Sequence, residues 1–110
     1  MTQFASRRCH IKAAGDFEYS QLVISLFPPE EKEGNPGDWW VSASLDCKYF
    51  VKRLEVGGGD GVHALVILLD VIHAFLQGRE TRQGYSIYWV APGDLDDLRL
   101  WGAIPSCLDR

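Results

Sequence analysis

The chain has no C-x-x-C pair and only three cysteines, Cys9, Cys47 and Cys107. An odd number at long spacings builds neither a disulfide framework nor a zinc ribbon, so all three are expected as reduced thiols. An excess of basic charge is missing too: 11 Lys and Arg stand against 15 Asp and Glu, a formal net charge of −4. A nucleic-acid binder needs a basic stripe to neutralise phosphates and release counterions, so no nucleic-acid partner is expected. No G-x-S-x-G, H-E-x-x-H, EF-hand loop or paired-carboxylate arrangement occurs, so no catalytic residue, metal site or cofactor is expected. The longest apolar run, GGGDGVHALVILLDVIHAFLQG, is interrupted by His63, Asp70 and His73, and an uninterrupted bilayer span of about 18 residues or more is absent. The opening MTQFASRRCHIKAAG carries Arg7 and Arg8 with no signal-type apolar core behind them. The expectation is therefore a cytoplasmic protein without membrane contact.

What is present suits a single self-sufficient domain, 1–110. The 110 residues are 46% hydrophobic and 12% aromatic, with four Trp, enough apolar area to offset the ordering entropy of a chain this long. Residues 4–12 and 17–27 flank a turn at Ala13–Asp16, and the second run alternates Leu22, Ile24, Leu26 against Gln21, Val23, Ser25, which predicts a β-hairpin. PPEEKEGNPGD, Pro28–Asp38, holds three prolines and four acids and is expected as an exposed loop that continues no ladder. From Trp39 the period-two pattern returns, Trp39, Val41, Ala43 and Leu45 facing one way and Trp40, Ser42, Ser44 and Asp46 the other. A turn or bulge near Asp46–Lys48 leads to a further strand through Val56. Its inward set is open between Tyr49/Val51 and Phe50/Leu54/Val56. A last strand is expected over 85–91.

The triple glycine has the wrong spacing for a dinucleotide fingerprint, since Val62 stands where its last glycine belongs, and no Lys-Ser/Thr pair makes a P-loop. Asp60 sits at the N-cap position, where its carboxylate accepts the free amides that a phosphate would need. Gly78 is expected to end the helix. Around that helix the apolar residues cover about 240°, far wider than the stripe of a surface helix, with His63, Asp70, His73 and Gln77 on the remainder. A sheet covers only part of such an arc, so the tail from Leu95 to Ile104 or a second copy of the chain is expected on the flanks. His63 and His73 stand about 15 Å apart along the axis, too far to share a metal ion. His10 and Cys9 are strand neighbours with opposite faces, so no nucleophilic thiol is expected there. The class predicted is α+β, two layers: an antiparallel sheet of about five strands on one long helix, in the order β-β-β-β-α-β plus a tail.

Gly58, Asp60, Ala64 and Leu65 form Gly-x-Asp-x-x-x-Ala-Leu ahead of an apolar helix, behind a strand pair that starts with Trp and before a strand and a G-A-I-P tail. Over residues 38–105 this resembles a group of small bacterial domains of unknown function with a β-meander and a helix entered through that motif. His63 departs from the Gln expected before Ala-Leu. The resemblance implies the fold and, because small acidic bacterial domains of this kind include immunity proteins, a role in neutralising a toxin by direct binding.

The functional expectation is accordingly a non-enzymatic binding domain with a basic toxin or effector as protein partner. Its candidate contact residues are Glu30, Glu31, Glu33, Asp38 and Trp40, with Asp94, Asp96 and Asp97 in the tail, because acidic patches speed encounter with a basic partner and Trp supplies anchor area. The alternatives are a homodimeric scaffold or secretion-chaperone-like protein, closed by the broad helix face, and a small-ligand-binding domain.

Overall fold

A computed structural model of the protein describes residues 3–88. Strands β1 (Ala5–Lys12), β2 (Ser20–Leu26), β3 (Glu30–Glu31), β4 (Trp39–Asp46) and β5 (Val51–Gly58) precede helix α1 (Gly61–Gln83) and strand β6 (Ser86–Tyr88). All pairings are antiparallel. β5 and β2 flank β4, β1 follows β2, and β6 closes the far edge beside β1. The fold is thus the α+β arrangement predicted, with one additional strand.

That strand corrects the reading of Pro28–Asp38 as a segment outside every ladder. Glu30 and Glu31 pair with Trp40 and Trp39, on the edge of β4 that β2 occupies farther along. Pro28 and Pro29 make the break between β2 and β3, where a missing amide costs no ladder bond. The rest of the segment closes a hairpin through Lys32 N–H to Asp38 O (2.7 Å), Asn35 N–H to Lys32 O (3.1 Å) and Asp38 N–H to Asn35 O (3.0 Å).

Period-two patterning places Cys9 and Ile11 of β1, Leu22 and Ile24 of β2, Val41, Ala43 and Leu45 of β4 and Ile87 of β6 in the core. His10 points to the other face, which separates it from Cys9. In β5 the question of register resolves to Leu54 and Val56 inward, half-buried against the core, while Val51 is 72% exposed. Tyr49 and Phe50 both lie before β5 and both pack inward: Phe50 meets Phe75 of α1 at 5.6 Å between ring centroids, and Tyr49 meets Tyr85 at 5.2 Å. Tyr49 also ties the β1–β2 turn down, accepting from Ala13 N–H at 3.1 Å and donating to Asp16. Neither Cys9 nor Cys47 forms a disulfide among the described residues; Cys107 lies outside them.

Asp60 caps α1 as predicted, accepting from His63 N–H at 2.8 Å. His63 answers as an acceptor for Gly59 N–H through Nδ1 at 2.9 Å. The other end differs from expectation. The helix passes Gly78 and ends at Gln83, with Gly84 in the left-handed conformation (φ 74°) and its N–H turned back to Arg79 O. The apolar pattern stops at Leu76, but Arg79, Glu80, Arg82 and Gln83 are good helix formers and no proline follows to break them.

α1 lies over β4 and β5. Full burial is confined to Ala64, Leu68, Ile72 and Leu76, one residue per turn, so this stripe faces the sheet. Leu65, Val66, Ile67, Leu69 and Val71 are half-buried and Val62 is 73% exposed. The buried stripe is therefore narrower than the apolar arc. By length and composition the helix is also apolar enough to cross a membrane. The tail from Leu95 to Ile104, expected over these flanks, lies outside the described residues.

Glu80 of α1 accepts from the Ile87 N–H at 3.1 Å and so occupies a donor on the edge strand β6. Burial pushes its carboxyl above the ordinary value of 4.5, against the smaller opposing influences of that hydrogen bond and of His73. A raised folded pKa means that Glu80 contributes most below pH 4.5 and that its contribution is lost as pH rises through the raised value. Glu80→Gln keeps an acceptor for Ile87 and removes the charge. The variant is expected to melt at a higher temperature than the parent at neutral pH and at the same temperature in acid. A variant less stable at neutral pH would show that the charged carboxylate is favoured there.

Candidate functional site

The amino end of α1, the start of β4 and the approach to β1 converge on an open apolar groove of about 550 Å³, lined by Phe4, Pro29, Trp39, Asp60, Gly61, Val62 and Leu65. Each wall has a local cause. The Asp60 cap fixes where the helix begins, which sends Val62 outward two residues before Ala64 opens the buried stripe. Gly61 lets Pro29 come close, since a Cβ at Gly61 would stand 3.3 Å from Pro29 Cβ. Trp39 is on the helix side of β4 by its alternation with Val41 and Ala43. Phe4 is held beside β2 by its N–H bond to Leu26 O at 2.9 Å, yet the residue remains 51% exposed.

One acid, Asp60, lines the groove, and the ladder sets others near its Trp39 wall. Directly paired residues of an antiparallel ladder project to the same face, so Glu31 stands beside Trp39 and Glu30 beside Trp40. The two carboxylates consequently serve opposite faces of the sheet. Glu31 Oε2 accepts from Gly37 N–H at 2.9 Å, which holds it in place while leaving the residue exposed. Glu33 and Asp38 belong to the hairpin beyond, Glu33 exposed and Asp38 half-buried. Asp60 lines the groove, but its Oδ1 is already bonded to the helix amide.

Trp40 is half-buried. Its register is the predicted one, away from the helix, but Lys32 Nζ lies over the ring at 5.2 Å and the indole edge lies against Gly57, where a Cβ would be 3.5 Å away. Its Nε1 is buried without an acceptor among the described residues. Cation–π contact and strand packing therefore compete with any partner for this ring. Asp94, Asp96 and Asp97 lie outside the described residues. The ladder register puts Glu31 beside Trp39, one wall of the groove, and keeps Glu30 and Trp40 together on the reverse face.

Sequence reasoning missed the groove residues themselves, because Phe4, Pro29, Trp39, Val62 and Leu65 come from four separate stretches. It also missed Phe17, 98% exposed between Asp16 and Glu18 at the tip of the β1–β2 turn. A bare aromatic flanked by two acids was the signal available there.

Among the described residues, no three His, Cys, Asp or Glu side chains come together as a metal site. Asp70 is exposed and His73 half-buried beside the Glu80 carboxyl. Chemically, the groove offers apolar area with the Asp60 carboxylate in its wall and Glu31 paired beside Trp39, suited to an apolar side chain accompanied by a cation. No family model, curated protein or solved structure matches this chain.

Proposed function

We propose that the chain is a non-enzymatic protein-binding domain, most concretely an immunity protein that neutralises a basic toxin by covering it. The observation that carries this reading is the open groove at the amino end of α1, where Phe4 and Val62 stay largely in water beside Trp39 and Glu31. Leaving such side chains exposed forgoes about 1.5–3 kcal/mol each relative to burial. A contiguous exposed apolar patch with a polar rim is the ordinary anatomy of a contact surface. The acidic hairpin Glu30–Asp38 steers a basic partner toward it. The net charge of −4 supports the same sign of partner.

Co-expression with candidate basic toxins tests the reading. The parent chain is expected to restore growth. Val62→Lys with Glu31→Lys should abolish protection while leaving the far-ultraviolet circular dichroism unchanged, and Val62→Lys alone should weaken binding of the purified toxin roughly tenfold or more. Full protection by the double variant would remove the groove from the mechanism.

A further inference from the structure

β5 is bonded only to β4 and ends the sheet on that side, so nothing among the described residues pairs with its outer edge. The strand runs eight residues, VKRLEVGG, without proline, and Val51, Lys52, Arg53 and Glu55 are exposed. Such an edge presents a row of unpaired N–H and C=O groups ready for another strand. The helix layer is bare along the same border. On one flank of the buried stripe, Val62 and Leu65 meet Pro29 and Trp39 in the groove and Glu80 reaches β6. The opposite flank, with Ile67, Val71 and Ala74, therefore lies on the β5 side. Ile67 and Val71 are only half-buried there and Ala74 is exposed.

We propose that this border joins a second copy of the chain, the two β5 strands pairing antiparallel about a two-fold axis at Leu54. The charge pattern selects both the occupant and the register. With Leu54 on the axis, Arg53 of each copy stands directly opposite Glu55 of the other, twice over by symmetry, and Lys52 stands opposite Val56. Moving the axis by one residue sets Arg53 against Arg53, or Glu55 against Glu55, and like charges directly opposite are destabilising. A pattern that is complementary only to its own reverse is what an isologous interface requires. Because paired residues share a face, both helices fall on one side of a continuous sheet, where the Ile67, Val71 and Ala74 flanks approach each other. Glu55 carries no ion pair among the described residues. Arg53 donates to Ser42 Oγ at 3.2 Å and lies over Phe27, which keeps it on the face where Glu55 of the other copy would arrive. The groove proposed for the partner is on the opposite flank and plays no part in this contact.

Sedimentation equilibrium on the full chain is expected to give a dimer. Arg53→Glu and Glu55→Arg should each be a folded monomer, judged by circular dichroism. Mixed in equal amounts they should form a heterodimer, because every pair across the axis is then of opposite sign, and the double exchange Arg53→Glu/Glu55→Arg should recover the homodimer. If a single variant fails to fold, Leu54→Cys gives the same reading: on mild oxidation it should form a disulfide-linked dimer. A parent chain that stays monomeric at high concentration would overturn the proposal. So would a dimer indifferent to both charge reversals, or a Leu54→Cys chain that does not cross-link.

Discussion

Gly58→Ala is expected to destabilise the protein by about 3 kcal/mol, the upper part of the range for forcing extra volume into a packed site. A Cβ at Gly58 would stand 2.6 Å from Ala64 N, 2.8 Å from Ala64 Cα and 3.1 Å from His63 C. These are backbone atoms of the first helical turn, not the free end of a side chain, so the clash is relieved only by lifting α1 from β5. Lifting it exposes Ala64, which has no accessible surface now. Gly59 provides the control, since a Cβ there meets nothing nearer than His63 Nδ1 at 3.7 Å. Gly59→Ala should fall within about 0.5 kcal/mol of the parent. Urea unfolding of the two variants measures the difference, and equal stabilities would mean that the helix is not seated on the end of β5.

Leu68→Ala is expected to cost about 3–4 kcal/mol, whereas Ile67→Ala, one residue away, should cost about 1 kcal/mol. Leu68 is fully buried, together with Ala64, Ile72 and Leu76, and truncating it removes transfer energy and leaves a cavity that rigid neighbours on β4 and β5 cannot fill. Ile67 is half-buried on the flank, so part of the truncated surface was in water already. A larger loss at Ile67 than at Leu68, measured by thermal or urea unfolding, would put the sheet on the other side of the helix. If the chain dimerises as proposed, Ile67→Ala should also shift the association equilibrium, which dilution separates from folding.

These two sites show what was legible in the sequence. Gly58, Asp60 and Ala64 were visible as a motif because cap chemistry is local: a carboxylate three residues before the amide it accepts is written in adjacent letters. The alternation in β2 and β4 was legible for the same reason, and it fixed which residues enter the core. Gly78 misled because glycine near the end of an apolar pattern resembles a C-cap, while the polar turn Arg79–Gln83 extends the helix to Gly84 on propensity and packing. Pro28 and Pro29 concealed β3 because a two-residue strand draws its support from β4, which is distant in sequence. Trp40 was assigned to the correct face, but no spacing rule foretells that Lys32 lies across it. The groove was the least legible feature, since its walls meet only after the sheet and helix have formed.

The central claim is that the partner is received at the amino end of α1. Chemical-shift mapping of the labelled chain titrated with a candidate basic partner tests this most directly. The largest changes are predicted at Phe4, Trp39, Val62 and Leu65, with smaller ones along Glu30–Asp38 and none at Arg8, His10 or Gln21 on the reverse face of the sheet. Changes concentrated on that reverse face, with Val62 and Trp39 unmoved, would contradict the account.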